Sequence, residues 1–254
     1  MAKISEIIEK IEKFAPPELQ CDWDNSGWQV YLANEEINRV LLALTPTEDV
    51  INQAINRNCK FVITHHPAIF EKIKCLRVND QAINPVIKAI QNNIQLYSAH
   101  TNLDSTQNGI ADNLARLLEL KNIRTPDGES GELKFIRLGE LENEENIYDY
   151  TSKIKNILGT VNPRLINPSG ITKVKKIAVC PGAGGDILHL LKDVELYVTA
   201  DIGYHDAVEQ GKIAIFDAGH LETERIILPV VAELIKQPDL EVIIADEVSP
   251  WSAV

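Results

Sequence analysis

The chain has 254 residues, 44% of them hydrophobic and 24% charged, which suits a globular protein built as one large domain or two small ones. A formal net charge of −12 and a pI near 5.0 argue against nucleic acid or an anionic membrane as partner, because both gather Lys and Arg against negative charge. Cys21, Cys59, Cys75 and Cys180 form no Cys-x-x-Cys pair, so neither a disulfide framework nor a thiolate zinc knuckle is expected. MAKISEIIEKIEKF is too charged for a signal peptide, no apolar stretch is long enough to span a bilayer, and the expected setting is the cytoplasm.

Ile4, Ile7, Ile8, Ile11 and Phe14 follow helical spacing, and Pro16-Pro17 ends that helix. RVLLAL (39–44) reads as a buried strand, 46–58 as a helix and KFVIT (60–64) as the next strand. NPVIKAIQNN (84–93) opens a helix with Asn84 as N-cap and Pro85 at the first helical position. IQLYSA (94–99) is a strand and 108–120 a helix. The polar stretch 121–132 marks a break. Beyond it come LKFIRLGEL (133–141), a helix near 145–158, the strand KKIAVC (175–180), the Gly-rich turn PGAGGD (181–186) and the helix DILHLLKD. ELYVTA (195–200) is a strand, GYHDAVEQG a helix, and KIAIFDAG (212–219) a strand. A long helix from His220 to Gln237 and the strand LEVIIADEV (240–248) close the chain. Strands alternating with helices predict an α/β fold with mostly parallel sheets covered by helices. The break divides it into a first lobe, 1–125 plus 217–254, and a second lobe, 126–216.

The polar chemistry gathers at strand ends, where open parallel α/β sheets bind ligands. FVIT runs into His65 and His66. QLYSA runs into His100, with Asp104 four residues on. AIFDAG runs into His220, with Glu224 four residues on, a spacing that puts both on one helical face. Neighbouring residues inside a strand face opposite ways, so His65 and His66 can serve one site only where the strand has stopped, or serve two ions on either side of the chain. Imidazoles and carboxylates without thiolates suit zinc, iron or manganese. Five donors exceed the need of one open catalytic zinc and match two ions sharing a carboxylate, an arrangement that activates a water. Each feature alone has a plainer reading: capping or packing for the His pair, a surface pair for His220 and Glu224, a hydrogen-bonded turn for AHTNLD. All three at strand ends of one fold argue for a site. DWDNSGW (22–28) reads as a loop pinned by two tryptophans or touching a ligand, and TADIGYHDA (199–207) sets Asp201 and His205 after a strand. His189 reads as an ordinary mid-helix histidine. PGAGGD resembles a phosphate-cradling turn but lacks the Lys-Ser/Thr of a P-loop.

The ordered set WDNSGW, THHP, AHTNLD, CPGAGG, TADIGYHDA and GHLETE, between residues 20 and 225, resembles the Nif-three-like dinuclear metal centre family. Its members often carry the name GTP cyclohydrolase 1 type 2 homologue. The resemblance implies two divalent ions per chain on His65, His66, Asp104, His220 and Glu224, two interlaced α/β lobes and a toroidal homohexamer. The five donors without a thiolate lead to the expectation of a metal-dependent hydrolase acting on a small molecule such as a nucleotide or phosphoester, with a neighbouring histidine, His100 or His205, shuttling protons. The turn departs from the family pattern at Pro181, where a second Gly is expected. The rival expectation is a metal handler or interaction scaffold without turnover, and a ring threaded by nucleic acid sits poorly with the acidic charge.

Overall fold

The computed structural model describes residues 1–78, 80–126, 131–209 and 212–252. Residues 127–130 of the expected break and the last two positions of the helix expected at 203–211 lie outside them. The chain divides into two compact units, Met1–Thr106 with Ile227–Val248, and Gln107–Ile226 with the residues from Ser249 on.

Unit one begins with β1 (Ala2–Lys3), α1 (Ile4–Phe14), β2 (Gly27–Val30) and β3 (Glu36–Ile37), and β1 pairs antiparallel with β3. It continues with β4 (Arg39–Ala43), α2 (Glu48–Asn56), β5 (Phe61–Thr64), α3 (Asn84–Gln91), β6 (Gln95–Ser98) and α4 (Thr101–Ser105). Unit two holds α5 (Ile110–Leu117), β7 (Lys121–Arg124), β8 (Arg137–Asn146), α6 (Ile147–Leu158) and β9 (Arg164–Ile166). It then adds β10 (Lys173–Ala183), β11 (Leu196–Ala200), α7 (Tyr204–Glu209), β12 (Ala214–Asp217) and α8 (His220–Glu224). The chain returns to unit one with α9 (Leu228–Ile235) and β13 (Glu241–Ile244).

The sheet of unit one has the order β13-β4-β5-β6-β2, parallel except for the edge strand β2. Every residue of β5 and β6 is buried, as expected of strands covered on both faces. Val50, Ile51 and Ala54 of α2 and Val86 and Ala89 of α3 pack with Leu41, Val62 and Leu96 of the sheet. Thr47 starts α2 by accepting a hydrogen bond from the Val50 amide at 3.2 Å.

Unit two departs from the expected parallel pattern. Its sheet runs β7-β8-β10-β11-β12-β9, and only β10, β11 and β12 are mutually parallel. Leu114 of α5 and Ile147, Tyr150 and Ile154 of α6 pack on Val179, Leu196 and Val198. Burying each such side chain contributes roughly 1.5–3 kcal/mol.

Several boundaries differ from the sequence expectation, each for a physical reason. The division falls at Thr106 and Ile226 rather than at 125 and 216, because the apolar face of α5 covers the sheet of unit two and β7 pairs with β8. His220 and Glu224 therefore belong to unit two. The long helix from His220 is two helices separated by a tighter turn over Arg225–Ile227, and Pro229 lies in the first turn of the second. DILHLLKD forms only a single turn at Leu188–Leu190, with exposed His189 bonded to the Asp186 carbonyl at 2.8 Å. Asn84 stands inside α3 rather than capping it, and Ile83 flanks the helix.

One buried ion pair fastens α5 to β8. Arg137 Nε donates to Asp112 Oδ1 at 2.7 Å, Arg137 Nη2 to Asp112 Oδ2 at 3.2 Å, and Nη1 to the Lys134 and Ile136 carbonyls. Removing one partner leaves a charge stranded out of water. Asp112→Ala is expected to lower the unfolding free energy by about 3–5 kcal/mol in urea titration; a loss under about 1 kcal/mol would show the pair to be dispensable.

Candidate metal centre

In unit one, the in-register parallel pairing of Ala43 with Thr64 and of Thr64 with Ser98 brings the ends of β4, β5 and β6 level. At the end of β5 the alternation breaks. His65 N donates to Ala43 O at 3.2 Å and His66 N to Leu44 O at 2.8 Å, so two successive amides turn to the same neighbouring chain. A regular strand cannot do this, because successive N–H groups point to opposite sides. The His66 carbonyl is held by the Thr64 and Ser98 hydroxyls at 2.7 and 3.2 Å. The two adjacent imidazoles consequently lie with ring centroids 4.9 Å apart, and His100, at the end of β6, stands 5.0 Å from His65 and 5.6 Å from His66. Each of the three offers a ring nitrogen within 4.8 Å of the others.

The second nitrogen of each ring is anchored. His65 Nδ1 lies 2.9 Å from the Ala99 carbonyl. A carbonyl only accepts, so Nδ1 carries a proton and Nε2 is the nitrogen turned the other way. That Nε2 lies 3.8 Å from Asp104 Oδ1, on α4. His66 Nδ1 lies 2.9 Å from Thr45 Oγ1. His100 Nδ1 donates to Asp24 Oδ1 at 2.7 Å. Asp24 also accepts from the Thr101 amide, the Thr101 hydroxyl and the Ser26 hydroxyl at 3.1, 2.5 and 2.9 Å. Burial works against its charge, but the hydrogen bonds from His100 and Thr101 outweigh it and hold the carboxyl well below its ordinary range.

Unit two repeats the construction. Asp201 follows β11, and His220 follows β12 across Gly219, whose φ of +91° is ordinary only for glycine. Asp217 joins the two loops by accepting from the Ile202 amide at 3.2 Å and the Gly219 amide at 3.3 Å. His220 Nδ1 lies 2.6 Å from Asp201 Oδ2, and Nε2 lies 3.1 Å from Oε2 of buried Glu224. Burial opposes a charge on His220, yet its bonds to Asp201 and Glu224 prevail and raise it to about 10. The bond to His220 likewise keeps Asp201 below its ordinary value.

The Gly-rich turn sits here too, in a role the sequence did not suggest. β10 continues through Pro181 to Ala183, and Gly182 N donates to Thr223 Oγ1 of α8 at 3.0 Å. Gly182 has φ +64°, and a Cβ there would run into the Glu224 carboxylate and approach His220 Nε2 to 3.3 Å. The glycine lets the strand end close on the His220–Glu224 pair, a purpose distinct from cradling phosphate.

These donors suit a divalent cation. In each unit, imidazole nitrogens oriented through Nδ1 stand beside carboxylates, and no thiolate takes part. An imidazole nitrogen beside a carboxylate, as at His65, and an imidazole between two carboxylates, as at His220, both draw positive charge. Sequence reasoning named His65, His66, His100, Asp104, His220 and Glu224. It reached Asp24 and Asp201 only as members of interesting loops, and it missed Thr45 and the Ala99 carbonyl. His205 lies on exposed α7 against the Tyr204 ring, outside both groups of donors.

Fold and donors together define an α/β protein that carries imidazole–carboxylate groups able to hold metal at the carboxyl ends of parallel strands. The chain belongs to the DUF34/NIF3 (NGG1p interacting factor 3) family, whose profile matches residues 2–250. It is 35% identical over 258 residues to a GTP cyclohydrolase 1 type 2 homolog of Clostridium perfringens, covering 96% of this chain and 97% of that one. It is 34% identical over 242 residues to a Helicobacter pylori protein named GTP cyclohydrolase 1 type 2, covering 92% of each. Among solved structures, a Bacillus cereus protein related to NIF3 shares the fold with TM-score 0.89 at 20% identity, covering 100% of this chain and 99% of that one. Reduced HcgD from Methanocaldococcus jannaschii matches with TM-score 0.83 at 30% identity, covering 97% of this chain and 98% of that one. No helix among the described residues is long and apolar enough to cross a membrane.

Gly182 and Gly170 separate backbone strain from crowding. Both have positive φ, +64° and +66°, but a Cβ at Gly170 meets nothing within 4 Å. Gly182→Ala is expected to lower the thermal midpoint of the metal-free protein by several degrees more than Gly170→Ala, since about 1 kcal/mol shifts a midpoint by roughly 2–4 °C at this size. Equal shifts would contradict the close approach of Glu224.

Proposed function

We propose that His65, His66, Asp104, His220 and Glu224 hold two divalent metal ions per chain, and that the protein is a metal-dependent hydrolase acting on a nucleotide or phosphoester. The observation that carries this reading is the shared construction of the donor groups: each imidazole has its Nδ1 engaged by an oxygen, which aims Nε2, and carboxylates stand beside them. Groups oriented in this way commonly support metal affinity or activity by about 10–100-fold. The names of the relatives, at 34–35% identity, point to nucleotide chemistry for those proteins and support the same substrate class here. Zinc, iron and manganese all accept this donor set. Bound there, the ions would supply Lewis acidity toward a hydrolysable bond.

The chain's own residues then have separable tasks. His65 and His66 present nitrogens from a strand end that has lost its alternation. Asp104 and Glu224 supply negative charge. His100 moves the proton, with Asp24 fixing which nitrogen is free. His205, exposed on α7, is the second candidate for that transfer. The assembly is a toroidal homohexamer, and its partner is a small molecule rather than nucleic acid.

Elemental analysis of untagged protein is expected to find about two ions per chain, lost in a His65→Ala, His66→Ala double variant. No uptake after incubation with zinc, iron or manganese would refute the metal reading. Hydrolysis is to be sought with the loaded protein on nucleotides and phosphodiesters. In Asp24→Asn, turnover is expected to fall about 10–100-fold with metal retained. Metal bound but no turnover on any substrate would leave a metal handler instead of an enzyme.

A further inference from the structure

Beside the histidines of unit one lies an aromatic surface that metal binding does not require. Trp23 and Phe70 are 60% and 56% exposed, high values for rings of their size, and they come from different loops. Their ring centroids are 5.8 Å apart at 55°. Both meet His100 edge-on, Trp23 at 6.2 Å and 74°, Phe70 at 6.3 Å and 76°. The three rings thus form one cluster of tilted rings, and one of them is an imidazole of the donor group.

The loops beneath these rings are tied together. Asn25 Nδ2 donates to the Ile69 carbonyl at 2.6 Å, and the Ile69 amide donates to Gln29 Oε1 at 3.0 Å. Gln29 Nε2 closes the circuit on the Asn25 carbonyl at 2.7 Å. Asp24, next to Trp23, is locked by His100, Thr101 and Ser26. The backbone bearing each ring is therefore tied down, while more than half of each residue stays open to solvent. Packing would have buried such rings, and a loop without a task would not need this lacing.

We propose that Trp23 and Phe70 form a subsite for the planar heteroaromatic ring of the substrate, beside His100. A flat π-face binds any flat ring by stacking and contributes little selectivity among bases. The subsite therefore selects ring-bearing compounds over bare sugar phosphates. The inference rests on the hydrolase reading for its occupant, yet it can be tested apart from turnover.

The test is calorimetric titration of zinc-supplemented full-length protein with guanosine 5′-phosphate and, separately, ribose 5-phosphate. Wild type is compared with Trp23→Leu and Phe70→Leu, both at exposed positions, with circular dichroism confirming the fold. Guanosine 5′-phosphate is expected to bind at least about tenfold more tightly than ribose 5-phosphate, and each substitution to weaken it by about tenfold with zinc content unchanged. Equal affinities for the two probes, unaltered affinity in both variants, or a changed oligomeric state in place of changed affinity would overturn the subsite. Metal-dependent hydrolysis unaffected in KM by either variant would remove the subsite and leave the hydrolase. Ring binding that depends on Trp23 and Phe70 in a protein without turnover would keep the subsite and remove the hydrolase.

Discussion

The register of parallel β-strands is the constraint on which the site depends. Backbone hydrogen bonds place Ala43, Thr64 and Ser98 abreast in one sheet and Thr199 beside Asp217 in the other. Whatever follows each strand then leaves from the same edge. His65, His66 and His100 become neighbours in this way, as do Asp201 and His220. The ladder is also what stops: Thr64 and Ser98 turn their hydroxyls to the His66 carbonyl, and β5 yields its alternation to put two adjacent imidazoles side by side. A slip of one residue in either pairing would carry these side chains to the opposite face.

A second layer of interactions orients what the strands deliver. A free imidazole rotates and exchanges its proton between nitrogens. Here the Ala99 carbonyl, Thr45, Asp24 and Asp201 each hold one ring nitrogen, and the rings are oriented by the fold alone. Two of these partners are carboxylates, which raise the basicity of the nitrogen on the far side of the ring. Glycine serves the same end by omission at Gly182, where the lack of a side chain lets β10 approach Glu224.

Much of this was legible in the sequence, and what was hidden has physical causes. The buried strands β4, β5, β6, β11 and β12 announce themselves as apolar runs, and the donors announce themselves by standing at their ends. The partners of the donors do not. Asp24 meets His100 across 76 residues, and the Ala99 carbonyl that fixes His65 is backbone, carrying no residue signature. The unit boundary at Thr106 was hidden because α5 looks like any amphipathic helix, and only tertiary packing decides which sheet its apolar face covers. β7 and β9 escaped notice as short strands at the edges of their sheet. The break after α8 was masked because LETERIILPVV carries no glycine or turn residue ahead of Pro229.

The most direct test of this account is X-ray absorption spectroscopy of the zinc-loaded protein at the metal edge. Two ions on these donors give a shell of nitrogen and oxygen ligands near 2.0–2.2 Å, no sulfur, and a metal–metal vector of about 3.5–4 Å. A sulfur shell near 2.3 Å, or a spectrum with no second metal, would contradict it.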